Sequence, residues 1–351
     1  MSSKASNSVM TRARAKYGSR LTADDYGALA GLAGLAEVVS YLRTRTHFAP
    51  FFEKLATDPQ LSKIKLENAL KTAFITEAQR LCGFEKSVGS SIFRYIAVTR
   101  ETELILDYII NLSLGTPEKM ILKTPEKYNC GTKIDFSKLF QIKSATELSK
   151  YLAKTGYSKL VAVLPGKDGG EFDISLIEAT LGRIKYKMLL DEINRVFPAE
   201  TAKILSHGIL MRAELADINM IYRAKKYYGL SESYIRTNMM GYRCLLSAKL
   251  FDGILASKTS EEALKILKGS RYVSKIDKHG IDDFEIFCEK AVIDDDIKQI
   301  HFSADPAVVL SSYLRILEAE CDNVTKIIEG ISYKVPKEEI LSNLIIIEKG
   351  A

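Results

Sequence analysis

The sequence has no tryptophan, 8 prolines, 21 glycines, 5 cysteines and 4 histidines in 351 residues, and each scarcity excludes something. With so little punctuation, long regular elements are expected in place of a loop-rich fold. Cys82, Cys130, Cys244, Cys288 and Cys321 are odd in number, widely scattered and never arranged as C-x-x-C. That usage excludes a small disulfide scaffold and points to a reducing compartment. His47, His207, His279 and His301 stand far apart, with no His-Glu-x-x-His pattern, so no metal site and no cofactor are expected. No apolar run approaches the ~18 residues that a membrane span needs. The stretch Ala28–Ala36 is stopped by Glu37, so any membrane contact is expected to be peripheral. The charge balance, 50 basic against 44 acidic side chains, falls well short of a dedicated nucleic-acid binder.

Catalytic motifs are missing too. Gly166-Lys167-Asp168-Gly169-Gly170 lacks the hydroxyl and the spacing of a phosphate-binding loop. There is no Gly-x-Ser-x-Gly elbow. Asp294-Asp295-Asp296 lacks the turn glycine and distal glutamate of a calcium loop, and reads as a solvated helix start. A Cys–His pair brought together in space is left open by the sequence, and nothing in it nominates one.

What is present is helix-forming. Leu, Ile, Ala, Lys and Glu dominate, and 46% apolar with 27% charged residues can both bury a core and cover it. The first twenty residues carry Lys4, Arg12, Arg14, Lys16 and Arg20 and no acid. They superficially match a transit peptide, and read more simply as a basic lead-in to the first helix or as a patch for anionic headgroups or an acidic partner. Tyr222–Tyr228 interleaves basic and aromatic residues; on a regular helix it turns Ile221 and Tyr228 inward and lets the lysine stems snorkel. Gly27, Gly31 and Gly34 are expected to serve turns and caps.

A spaced pattern recurs three times. An aliphatic residue is followed eight positions on by a glutamate (Leu29 and Glu37, Leu139 and Glu147, Ile254 and Glu262), then by Leu42, Leu152 and Leu267. The segments close at Phe48, Tyr157 and Tyr272, the first copy with an extra residue near Thr46. Gly34, Ser144 and Thr259 stand three residues before each glutamate; the latter two make capping boxes, so these glutamates are read as caps. Glu67, Glu178 and Glu285 open long periodic segments, and 36, 36 and 35 residues later come Glu103, Glu214 and Glu320, each leading into a further helical stretch. Gly115–Glu118, Gly229–Glu232 and Val335–Glu338 mark helix ends and new starts. The glutamates at 37, 147 and 262 lie 110 and 115 residues apart. The expected organisation is an all-α chain of three related helical units, 1–122, 123–238 and 239–351, in a pseudo-threefold arrangement or a curved stack.

The order of these elements resembles the C subunit of the archaeal and bacterial V-type (A-type) ATPases, whose eukaryotic relative is the d subunit of the V-ATPase. The likeness runs through Ala13-Arg14-Ala15, Leu21–Tyr26, Glu37–Leu42, Asp217–Lys225 and Glu320–Ile328, and covers nearly the whole chain. Cys321 and Thr325 depart from the texture of the last segment. The resemblance implies a funnel-shaped, non-catalytic rotor component on the cytoplasmic face of a membrane. It implies the D and F shaft subunits and the proteolipid rotor ring as partners, with no cofactor and no nucleic acid. It also implies inter-helix ties or socket contacts at Arg14, Glu67, Glu103, Glu178, Glu214, Asn219, Arg223 and Glu320. The competing reading is a helical-repeat adaptor for nucleic acid or another protein complex, which helical repeats alone do not separate.

Overall fold

The computed structural model describes residues 4–84, 86–117, 131–166, 170–281 and 283–347. The first expected unit boundary, between residues 122 and 123, and residues 167–169 of the Gly166–Gly170 segment lie outside them, as does Glu118. Among the described residues every regular element is helical. In chain order they are α1 (Lys4–Gly18), α2 (Ala23–Ala30), α3 (Leu35–Arg45), α4 (Ala49–Phe52), α5 (Lys63–Cys82) and α6 (Lys86–Ser113). There follow α7 (Phe136–Leu139), α8 (Ala145–Leu152), α9 (Ile174–Val196), α10 (Ala199–Arg223), α11 (Glu232–Thr237), α12 (Ala248–Ala256) and α13 (Ser260–Lys268). The chain ends with α14 (Val273–His279), α15 (Phe284–Phe302), α16 (Pro306–Ser332) and α17 (Lys337–Ser342).

Packing divides the chain into two compact units. Of the described residues, those up to 93 and from 293 onward form one, and those from 94 to 292 form the other. In the first, α16 is the central helix and packs on α1, α2, α3, α5 and α17. Eighteen of its 27 residues are buried, so it carries apolar groups on almost every face, as a helix surrounded by others must. In the second unit α9 packs on α10, α12 pairs with α13, and α10 also meets α13. Its core runs through Met211, Leu215, Ile218, Phe251, Leu267 and Phe287.

Local signals decide most helix starts. Ser144 and Thr259 accept the amides of Glu147 and Glu262, while each glutamate reaches back to the amide of Lys143 or Lys258. Glu37 does the same for Ala33, although Gly34 has no side chain to complete the exchange. Thr22 and Asp25 form a further box on α2. Gly31 and Gly34 are indeed a C-cap and an N-cap, but Gly27 lies inside α2, where the expected turn does not form. Gly229 adopts φ of 59°, a left-handed conformation that glycine takes without steric cost, and ends the helix before Ser231 caps α11.

Two further local expectations fail. Asp294–Asp296 is no solvated helix start: it lies mid-way along α15 with Asp294 and Asp296 buried. Arg315 of α16 neutralises Asp296, its Nε lying 2.8 and 2.9 Å from the two carboxylate oxygens. The second failure is at Tyr228. Residues Ala224–Tyr228 form a π turn, whose wider winding breaks the α register. Ile221 is buried as expected, but Tyr227 and Tyr228 point out, 61% and 66% exposed. Lys225 turns inward to the carbonyls of Leu255 and Ser257, and Lys226 bonds the Tyr222 hydroxyl.

Candidate functional site

The threefold pattern in the sequence has a counterpart in local geometry. Leu42, Leu152 and Leu267 are fully buried. After each comes a hydroxyl residue whose Oγ donates to that leucine's carbonyl and accepts the amide of the residue two positions on: Thr46, Thr155 and Ser270. The receiving residues are Phe48, Tyr157 and Tyr272, all buried. Thr46 lies four residues after its leucine and the other two lie three after theirs, which places the extra residue of the first copy.

Each of these hairpins meets one buried glutamate on a long helix. Glu214 of α10 is fully buried and accepts the amides of Cys244 and Leu245 at 2.8 Å, that of Leu246 at 3.2 Å and the Tyr272 hydroxyl at 2.8 Å. Glu101 of α6, also fully buried, accepts the Lys133 amide and the Tyr157 hydroxyl, the latter at 2.6 Å, with the Arg94 guanidinium 3.0 Å away. Burial and the negative charge push both phenols well above their ordinary range, so each remains a hydrogen-bond donor.

The third tie is built differently. Glu320 of α16 accepts the Leu21 amide at 2.6 Å, but Phe48 has no hydroxyl to offer, and the His47 Nε2 lies 3.5 Å from the other carboxylate oxygen. Burial pushes the Glu320 carboxyl up to about 8, with the Leu21 amide and Arg20 opposing, and holds the His47 imidazole below its usual range.

A second strap lies one turn along α10. Asp217 accepts the amides of Met240 and Gly241, each at 2.8 Å, so Glu214 and Asp217 together fasten the extended segment between α11 and α12. Arg183 of α9 holds the same segment from its other side through the carbonyls of Thr237 and Met239.

Of the eight residues expected to form ties or a socket, four come together. Glu103, Glu178, Asn219 and Arg223 line one groove of about 600 Å³ in the second unit, between α6, α9 and α10. Lys185 shares that lining, and the exposed Tyr228 borders it. The Asn219 side-chain oxygen is buried without a hydrogen-bond partner. Glu103 is paired with Arg100 at 2.7 Å, and Arg223 lies 3.7 Å from Glu285. The other four take structural positions. Arg14 bonds the carbonyls of Ile300 and Ser303 at the end of α15, where a cation complements the helix dipole. Glu67 stands 3.5 Å from Lys63 on α5, and Glu214 and Glu320 are the buried ties.

Sequence reasoning chose Glu103 as the first member of the series and passed over Glu101. Both Glu214 and Glu320 lie mid-helix, where the sequence reading expected helix starts. The signal that finds Glu101 is its tyrosine partner: the Glu101–Tyr157 and Glu214–Tyr272 separations are 56 and 58 residues.

Among the described residues no three potential metal ligands cluster, and no helix is long and apolar enough to cross a membrane. What the fold offers is a helical body with fastened straps and an open groove. The ATP synthase (C/AC39) subunit family model matches residues 9–343, so the chain belongs to that family, the C or d subunit of V/A-type ATP synthases and ATPases. Members of the family are non-catalytic parts of that rotary complex. No curated protein matches the chain.

Proposed function

We propose that this chain is the central-stalk rotor component that joins the D and F shaft subunits to the proteolipid ring. It sits on the cytoplasmic side of the membrane and carries torque for ATP-driven proton or sodium transport, or for ATP synthesis. The observation that carries the reading is the groove between α6, α9 and α10. It presents both signs of charge, an exposed tyrosine and a buried amide oxygen without a partner, which is the polar, adaptable lining that a reversible protein joint uses. A hydrogen-bond donor from a docked helix satisfies Asn219 at that point.

The recurrence of one hairpin and one glutamate tie supports three related units, 1–122, 123–238 and 239–351. Glu101 holds the hairpin that ends at Tyr157, Glu214 holds the one that ends at Tyr272, and Glu320 returns to the first, at Leu21. Transmitting torque needs a body that resists compression, which close-packed helices supply, and straps that do not slip, which multiple amides on one buried carboxylate supply.

Reconstitution tests the proposal. The purified chain is mixed with a D–F pair and with ring-containing membranes, and one complex containing all of them is expected. Deleting the chain should abolish ATP-driven ion pumping and leave soluble ATP hydrolysis intact, and Asn219→Leu with Tyr228→Asp should weaken capture of the D–F pair at least tenfold, about 1.4 kcal/mol. Pumping that survives deletion sinks the assignment. Copurified nucleic acid with a steep salt dependence supports the adaptor reading in its place.

A further inference from the structure

The Cys–His pair that the sequence leaves open is made by the fold of the second unit. Cys244 lies in the extended segment between α11 and α12. His207 is on α10, seven residues before Glu214 and therefore on the same face of the helix, about 10 Å nearer its start. The Cys244 Sγ stands 3.3 Å from His207 Nδ1 and 3.6 Å from the His207 carbonyl oxygen. Cys244 is half-buried, His207 is exposed, and their contact lies at the surface. We propose that Cys244 is a thiol-modification site that takes small disulfides, with His207 as the base that accepts its proton.

The backbone on either side holds the sulfur in place. The Cys244 amide donates to Glu214 at 2.8 Å, and the amides of Met240 and Gly241 donate to Asp217, so the segment is laid along α10 and the thiol is carried to His207. The Glu214 carboxylate, whose charge opposes a thiolate, is met by three amides and the Tyr272 hydroxyl. The other described thiols stand differently. Cys82, Cys288 and Cys321 are buried, and burial pushes the Cys82 thiol up to about 12 and the Cys288 thiol well above its usual range. A reactive thiol needs both a proton acceptor and access. Of the described cysteines, Cys244 alone stands beside a base at the surface.

The step balances within the pair and its reagent. The thiol proton passes to His207 Nδ1, whose N–H then donates to the thiolate in a charge-assisted bond. The thiolate attacks one sulfur of the disulfide. A new S–S bond joins Cys244 to half of the reagent, the reagent's own S–S bond breaks, and the other half leaves as a thiolate that recovers the proton from the imidazolium. Cys244 is oxidised as the leaving half is reduced, and excess thiol reverses the exchange. An unassisted thiol, with a pKa of about 8.5, is only ~3% thiolate at pH 7, so complete transfer of its proton raises the reactive fraction at most roughly 30-fold. The weaker nucleophilicity of a less basic thiolate takes back part of that gain and leaves about tenfold. This chemistry does not depend on the rotary assignment.

Glutathione disulfide is the probe, added to the full chain in imidazole-free buffer at about pH 7, and peptide mass spectrometry follows the adduct on Cys244 with time. Cys244 should be modified ahead of Cys82, Cys288 and Cys321. His207→Ala keeps the helix, since the position is exposed and alanine favours helix. It should slow modification of Cys244 about tenfold, and added imidazole should restore much of the lost rate. The direction separates a base from a cover: a side chain that merely shielded the sulfur, or merely held the segment, would speed the reaction on its removal. A rate in His207→Ala equal to or above that of the wild type, a slowed rate that imidazole does not raise, or adducts confined to the other cysteines overturns the proposal.

Discussion

Glu214 offers the most quantitative test of how the second unit is held together. Replacing it with alanine leaves three amides and one phenol without their acceptor. The amides of Cys244 and Leu245 are half-buried and regain water, so their loss is small. Leu246 and Tyr272 are 5% and 0% exposed, and each donor orphaned there costs about 1–3 kcal/mol. The expected destabilisation of Glu214→Ala is about 3–5 kcal/mol once the lost charge-assisted bonds are included. Glu214→Gln is no remedy, because its amide nitrogen must face a backbone or phenolic donor with a donor of its own. Urea unfolding followed by far-UV circular dichroism measures the global loss, and exchange at residues 244–246 measures the local one. Tyr272→Phe alone removes a single charge-assisted bond, about 1.5–3 kcal/mol. Made on the Glu214→Ala background, the same change removes an orphan and should cost nothing. The double-mutant cycle therefore carries a coupling energy of at least ~1 kcal/mol. Additive effects, or a loss below ~1 kcal/mol for Glu214→Ala, refute the reasoning.

Two further outcomes follow from the first unit. Arg315→Ala strands Asp296, 3% exposed, without its countercharge and should cost about 3–5 kcal/mol in urea unfolding, whereas removing both charges as Arg315→Met with Asp296→Leu should return most of that stability. Lys334 follows α16 with φ of 59°, the only left-handed non-glycine among the described residues. Its amide and that of Val335 close the helix end on Ile331 and Gly330. Lys334→Gly should relieve that strain and raise the melting temperature, with a gain of about 1 kcal/mol; a lower melting temperature counts against the strain.

A strap held by four donors on one carboxylate yields only when all four let go. Two of the three ties are closed by tyrosine, and their acceptors do not depend on any nearby imidazole. The third has no hydroxyl to close it, and the His47 imidazole lies 3.5 Å from its carboxylate.

The features that could be read along the chain are those whose partners lie within four residues. Ser144 with Glu147, Thr259 with Glu262, and Gly229 before Ser231 are complete in themselves, so spacing and residue type suffice. The three hairpins were visible for the same reason, since Leu152, Thr155 and Tyr157 bond one another locally. The choice between Glu101 and Glu103 was not visible. Two residues apart on a helix they lie about 200° around the axis from each other, and only the arrival of Tyr157 and Lys133 decides which of them faces inward. Tyr228 was misplaced because one π turn alters the register, and nothing in the local spacing announces it. Asp296 reads as surface charge until α16 brings Arg315 to it. Sequence alone determined an all-helical chain with a hairpin repeated three times, because caps and periodicity are short-range. Tertiary structure alone decided which acids became ties, because each tie joins groups 23 to 299 residues apart and exists only once the helices have packed.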